Sequence, residues 1–127
     1  MKNALFTFAG ALTLAVLFSL PVAAHHGGAA FDQAKSVTFE AKVTEMQFAN
    51  PHVLVYWEVT GGEAAGQAWS GWLTAPNKLT RADWSTRPLQ PGDKITVTGT
   101  PHKDGNHVLQ IRKLIGPDGK ELPLFES

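Results

Sequence analysis

The chain has 127 residues, a formal net charge of zero and no cysteine. A balanced charge lacks the basic field needed to bind nucleic acid or anionic lipid, which argues against both as partners. The absence of cysteine excludes disulfides, thiolate metal ligands and a cysteine-linked lipid anchor, so stability must come from packing.

The first 24 residues have the organisation of a cleavable secretory signal. Lys2 precedes an uncharged apolar run over residues 4–20, and small residues at Val22 and Ala24 fit a cleavage site before His25. An uncleaved membrane anchor is the alternative, although the run is short for a span. We expect cleavage, a periplasmic location, no membrane span in the mature protein, and about 100 remaining residues, which suits one small domain.

The mature chain is predicted to begin with a flexible arm over residues 25–36, which is rich in glycine and alanine and lacks periodicity. Apolar and polar residues then alternate over 37–44 and 53–59, the pattern of half-buried β-strands. A third strand is predicted over 68–74, and turn-forming residues separate the three runs. The first half of the domain therefore reads as three successive strands.

A short helix and two further strands are predicted for the second half. Asn77 is a candidate helix cap for residues 77–83, and strand patterns return over 95–99 and 107–114. Three strands, a helix and two strands is the element order of the five-stranded Greek-key barrel called the OB-fold. We predict an all-β, OB-like barrel over residues 37–127, with a small β-sandwich as the rival architecture.

Short motifs are spread over the whole mature chain. They are His25-His26, Phe31-Asp32, Asn50-Pro51-His52, Ala75-Pro76-Asn77, Leu79 to Trp84, Pro91-Gly92-Asp93 and Asp104-Gly105. Together they resemble a family of small exported proteobacterial proteins that is classed as a domain of unknown function. The resemblance implies export and one small β domain, and it carries no established activity.

All five histidines follow the predicted cleavage site: His25, His26, His52, His102 and His107. Imidazole and amine nitrogens suit copper, zinc or nickel, and a planar nitrogen set favours Cu(II). A mature His25 would offer its α-amine and one ring nitrogen to the same ion. His102 and His107 flank a predicted hairpin turn, across which facing side chains come close. These residues predict a transition metal site, with copper as the preferred ion.

Each histidine also has an ordinary structural interpretation. The set lacks a His-x-His motif or another short metal-binding spacing. In this interpretation, His25 and His26 only start the mature chain. His102 and His107 then flank a solvated turn, and His52 forms a hydrogen bond within a turn. The terminal position of His25 is what favours the metal.

Aromatic side chains supply a second candidate site. In OB-folds the second and third strands form the usual ligand-binding face, where rings stack on bases or sugars. Tyr56 and Trp72 have the parity opposite to the apolar core positions, which predicts that they lie on this outer face. Core packing is the alternative for both, and it is the expectation for Trp57, Trp69 and Trp84.

The sequence contains no catalytic constellation that we recognise. Its carboxylates are dispersed, and it has no Ser-His-Asp order, phosphate-binding loop or His-Glu-x-x-His motif. We therefore predict a periplasmic binding protein and not an enzyme. The first hypothesis is binding of a metal ion through the histidines. The second is binding of a small ligand, a glycan or another envelope protein on the face of Tyr56 and Trp72. A purely structural envelope role and the oligomeric state stay open.

Overall fold

A computed structural model describes residues 28–84 and 88–124 of this chain. Five strands close into one barrel, and a short helix lies between the third and fourth strands. The predicted all-β, OB-like barrel is confirmed, and closure of the sheet excludes the two-layer sandwich. The elements are β1 (Val37–Gln47), β2 (Leu54–Val59), β3 (Ala68–Trp72), α1 (Pro76–Arg81), β4 (Lys94–Pro101) and β5 (Val108–Ile115).

The strands follow the order β1-β2-β3-β5-β4 around the barrel. Strand β1 pairs with both β4 and β2, and its register shifts between Val43 and Glu45. Such a bulge bends a strand, which lets β1 continue from one neighbour to the other. Parallel pairing of β3 with β5, which begins with Ser70 opposite Val108, closes the barrel. This order brings β2, β3 and β5 side by side on one outer face.

The barrel interior is filled by the apolar residues of the period-two pattern. Trp57 is the largest fully buried side chain, with 1% of its surface exposed. Gly71 leaves room for it, because a Cβ at this position would lie 2.9 Å from the Trp57 ring and 2.5 Å from Ile111. Trp84 is also in the core, so the predicted core positions of Trp57 and Trp84 are confirmed. Trp69 is only partly buried and packs against the core cluster without belonging to it.

Helix α1 starts before the residue that the sequence suggests as its cap. Pro76 is its first residue, and Ala75 occupies the N-cap position without a side-chain hydrogen bond. Proline suits the first helical position, because its φ is already helical and it has no N–H that needs a partner. Asn77 therefore lies inside the first turn of the helix and does not cap it. The helix buries Leu79 against the core. Within residues 28–84 and 88–124, no helix is long and apolar enough to cross a membrane.

Candidate metal and ligand site

Four rings form a row on the outside of the barrel, which we call the outer aromatic row: His52, Trp72, Phe31 and His102. His52 stacks on Trp72 with 5.2 Å between ring centroids and 19° between planes. Phe31 makes T-shaped contacts with Trp72 at 5.4 Å and with His102 at 5.3 Å. Aromatic pairs attract at these separations. The row connects the loop before β2, strand β3, the N-terminal segment and the residue that follows β4.

Strand register explains why Trp72 faces outwards. Trp72 lies opposite Leu54 of β2, whereas its neighbour Gly71 faces Trp57 and Ile111 in the core. Tyr56 lies opposite Ser70 on the same outer face, because successive side chains of a strand alternate between faces. Both predicted ligand-face residues are therefore on the outer surface and are half-buried. Tyr56 is not a member of the outer aromatic row.

The described part of the predicted N-terminal arm, residues 28–36, is docked on the barrel. The ring of Phe31 is completely buried. The Asp32 N–H donates to the carbonyl of Pro101 at 2.8 Å, and the Lys103 N–H donates to the carbonyl of residue 30 at 2.9 Å. A buried ring and two backbone hydrogen bonds thus hold this segment beside the hairpin of β4 and β5.

Polar side chains tie the same segment to β5. Nη2 of Arg112 donates to Oε1 of Gln33 at 2.7 Å and to Oε1 of Gln110 at 3.0 Å. Nε2 of Gln33 donates to the carbonyl of Gly28 at 3.0 Å. A Cβ built on Gly28 would be 3.9 Å from Oε1 of Gln110. The first described residue of the chain is therefore held next to β5.

His52 is oriented by a backbone carbonyl. Its Nδ1 lies 3.1 Å from the carbonyl oxygen of Leu73. A carbonyl oxygen only accepts, so Nδ1 carries the proton in this contact. The neutral ring then has a lone pair at Nε2, for which the described residues provide no hydrogen-bond donor. Metal-ligating histidines are commonly held in this way, with one N–H on an oxygen acceptor.

His102 is oriented by a carboxylate. Its Nδ1 lies 2.5 Å from Oδ1 of Asp104, whereas the Asp104 N–H is 3.4 Å from the same nitrogen. The backbone N–H of Asn106 donates to Asp104 and, with the hydrogen bond and charge of His102, lowers the pKa of this carboxyl below its usual 3.8. An ionised carboxylate only accepts hydrogen bonds, so the short contact with Oδ1 of Asp104 places a proton on Nδ1 of His102. In the neutral form of the His102 ring, the lone pair is then at Nε2.

His107 belongs to a different ring pair. It stacks on Trp69 with 4.5 Å between centroids and 7° between planes, and its Nδ1 lies 3.3 Å from the carbonyl oxygen of Ala68. His102 and His107, which we expected to face each other across the hairpin, thus contact different aromatic partners. His102 directly follows β4 and contacts Phe31, whereas His107 directly precedes β5 and stacks on Trp69.

The described residues do not form a complete metal site by themselves. Among them, no group of three or more His, Asp or Glu side chains could hold a metal ion. His25 and His26 lie outside the described residues, as does the predicted signal over residues 1–24. A site with three or more such ligands therefore requires a donor from outside the described part of the chain.

Two cavities flank the stack of His52 on Trp72. One has a volume of about 300 Å³ and lies toward the loop before β2, where Gln47, Ala49, Asn50, Pro51 and Leu54 complete its lining. The other has a volume of about 210 Å³ and lies toward β5, where Leu73, Thr74, Gln110, Ile111, Arg112 and Leu124 complete its lining. A larger groove of about 480 Å³ over β1 and β4 is lined by none of the candidate residues.

Three residues of this site are not among the candidates predicted from the sequence. Phe31 stands in a segment without periodicity, and its only signal was its place in the Phe31-Asp32 motif. Gln110 and Arg112 look like ordinary polar positions of a strand. Their role depends on contact with Gln33, which lies far away along the chain.

A family model matches residues 14–110, a range that includes all five histidines and most of the barrel. The chain belongs to the DUF6152 family, a family of unknown function. The DUF6152 match confirms that the chain resembles a family that is classed as a domain of unknown function. It does not assign a ligand or a reaction.

No curated protein matches this DUF6152 protein. The structure described as the "Crystal structure of the ZRD-deleted mutant of TiaS in complex with agmatine" is similar, with a TM-score of 0.46 and 18% sequence identity. The similarity covers 65% of this chain and 21% of that chain, so our protein spans about a fifth of the length of the other.

Proposed function

We propose that this protein is exported, loses residues 1–24 and binds one copper ion in the periplasm through His25 and His52. The observation that carries the proposal is the contact of 3.1 Å between Nδ1 of His52 and the carbonyl oxygen of Leu73. This contact leaves a lone pair on Nε2 of the neutral ring, and a neutral imidazole nitrogen is the group that coordinates a metal.

The docked N-terminal segment supports His25 as the second contributor. Gly28 is held beside Gln110, and Gln110 lines the same cavity as His52. His25 precedes Gly28 by three residues, a length of chain that spans about 10 Å when extended. Chain length therefore allows a ligand at the new amino terminus to reach the cavity that His52 borders.

The donor chemistry favours copper. After cleavage, His25 would contribute its α-amine and one ring nitrogen, and His52 would contribute Nε2. The α-amine titrates near neutrality, so a metal ion displaces its proton at little cost. Three nitrogen donors of this type suit Cu(II), which prefers planar nitrogen sets.

The other histidines differ in how well their surroundings support them as ligands of the same ion. His102 lies in the outer aromatic row, and its Nδ1 donates to Asp104, so in the neutral form of the ring the lone pair is at Nε2. His26 adjoins His25 in the sequence. We include both as candidate further ligands. His107 is the weakest candidate, because its ring is stacked on Trp69 outside the row. The role we propose is metal buffering or delivery, not catalysis.

Calorimetric titration of Cu(II) and Zn(II) into protein purified from the periplasm tests this function, with the amino terminus verified by mass spectrometry. We expect one tight copper site per chain and weaker binding of zinc. Three alanines inserted before His25 separate the α-amine from both histidines and should weaken copper binding sharply. The matched control carries three alanines after Ser127. Weak copper uptake without stoichiometry, or unchanged affinity in the extended protein, would contradict the proposal.

A small apolar solute is the second candidate ligand, bound on the outer face without metal. The cavity of about 300 Å³ favours it, because Pro51, Leu54 and Trp72 line much of it. Quenching of tryptophan fluorescence by apolar solutes, and not by metal ions, would support this candidate. The quenching should disappear in Trp72→Ala and persist in Tyr56→Phe, because Tyr56 does not line the cavity. Fluorescence quenching by glycans or by an envelope protein, without quenching by apolar solutes, would contradict this candidate.

A further inference from the structure

The second cavity beside Trp72 has the chemistry of an anion site. Its volume is about 210 Å³, below the usual range for drug-sized ligands and enough for a molecule with one small apolar group. Leu73, Ile111 and Leu124 are buried and give it an apolar floor. Arg112 and Gln110 stand at its side toward the N-terminal segment.

Arg112 brings a positive charge that no described neighbour neutralises. Its Nη2 donates to the amide oxygens of Gln33 and Gln110, and its Nε lies 3.5 Å from the hydroxyl of Thr100. All three acceptors are neutral. No carboxylate pairs with this guanidinium among the described residues, in contrast to Lys113 on the same strand, which pairs with Glu121.

The same hydrogen bonds fix the direction of the guanidinium. Nε and Nη2 are engaged, so the two N–H groups of Nη1 are the ones left to donate to a ligand. Hydrogen bonds from a guanidinium to a carboxylate are about twice as strong as neutral ones. An oriented cation at the side of a small apolar cavity fits a molecule with one anionic end and one apolar end.

We propose that this cavity binds a small monocarboxylate. Its carboxylate accepts hydrogen bonds from Nη1 of Arg112, and its apolar group packs on Leu73, Ile111 and Leu124. Trp72 and His52 form the wall on the other side. The site does not require copper, although it shares His52 with the proposed metal site.

The test uses the metal-free full mature chain, in the presence of a chelator, with benzoate as the probe. Binding is followed by amide chemical shifts in two-dimensional NMR. Benzoate should shift the amides of Leu73, Ile111 and Arg112 along a saturable curve. Benzamide has the same shape without the charge, and we expect it to bind at least about tenfold more weakly.

Two variants separate the role of Arg112 from general electrostatics. Arg112→Gln should lower the affinity for benzoate about tenfold or more, whereas Lys113→Gln should change it less than about twofold. Lys113 is a matched control because it is an exposed cation of the same strand that does not line the cavity. The amide shifts of Phe31 and Lys103 report whether the N-terminal segment stays docked in each variant.

Three results would overturn this proposal: no saturable shift with benzoate, equal binding of benzoate and benzamide, or equal losses in the two variants. The comparison of benzoate with benzamide needs no substitution, so it decides the question even where Arg112→Gln disturbs the fold. Because copper is absent throughout, the result is independent of the copper titration.

Discussion

Phe31 lies edge-on to Trp72, with 5.4 Å between the ring centroids, and it is completely buried although it belongs to none of the five strands. Its other side meets His102 at 5.3 Å. Phe31 is separate from the main core cluster, so it forms a second apolar contact outside the barrel. This contact holds the beginning of the described chain close to the cavity of His52, and the proposed copper site depends on it.

The first prediction concerns this anchor. Phe31→Ala should lower the free energy of unfolding by about 3 kcal/mol, because it removes a buried ring and leaves a gap beside Trp72. Hydrogen exchange at the Asp32 and Lys103 amides should become much faster, since their bonds hold the docked segment. Copper affinity should fall with the loss of docking.

Phe48→Ala is the control for the anchor, because Phe48 is partly buried against the main core and takes no part in the row. Its exchange rates at Asp32 and Lys103 should match those of the unchanged protein. Unaltered exchange in Phe31→Ala would show that the segment is held without this ring.

The second prediction separates the histidines by their surroundings. His52→Ala should weaken copper binding at least about tenfold, because it removes a nitrogen that is held ready to coordinate. His107→Ala should leave copper affinity nearly unchanged, since that ring stacks on Trp69 outside the row. Calorimetry on the two variants measures both effects. Equal losses of copper affinity in the two variants would mean that His52 is not a specific ligand of the ion.

The third prediction is a pH dependence at Asp104. The pKa of its carboxyl is lowered in the folded protein, first by the hydrogen bond from the Asn106 N–H and further by His102. The carboxylate therefore stabilises the fold above its unfolded pKa of about 3.8, and this contribution is lost as the pH falls through the lowered value. An NMR titration of the side-chain carboxyl should give a midpoint below 3.8.

Asp104→Asn provides the matching stability measurement. The difference in unfolding free energy between the unchanged protein and this variant should shrink as the pH is lowered below about 4. We expect the difference to be small, because Asp104 is on the surface and solvent screens its interactions. A carboxyl midpoint above 3.8 would contradict the hydrogen-bonded geometry.

The fourth prediction concerns the barrel interior. Gly71→Ala should destabilise the protein by about 1–3 kcal/mol, because the added methyl group meets Ile111 and the Trp57 ring at less than van der Waals distance. Gly116→Ala is the control, since a Cβ there has its nearest neighbour at 3.4 Å. Chemical denaturation measures both variants. Equal stability of the two variants would show that the side chains around Trp57 rearrange to accommodate the added methyl group.

Much of the fold was predictable, because alternation of apolar and polar residues is a local property. It indicated the strands and the outward positions of Tyr56 and Trp72, and the element order indicated the barrel. The N-cap of α1 was predicted two residues too late, at Asn77 and not at Ala75, because Pro76 begins the helix without a side-chain cap. The histidines were predictable as donors, but their hydrogen-bond partners were not.

By itself, the sequence determined the element order, the two faces of each strand and the absence of thiol chemistry, since these follow from residue type and spacing. The tertiary structure alone decided that Phe31 is buried, that His52 stacks on Trp72 while His107 stacks on Trp69, and that Arg112 meets Gln33. These pairs are far apart in the chain. Their contacts depend on how the closed barrel aligns its strands and on where the N-terminal segment docks, and no local pattern encodes either.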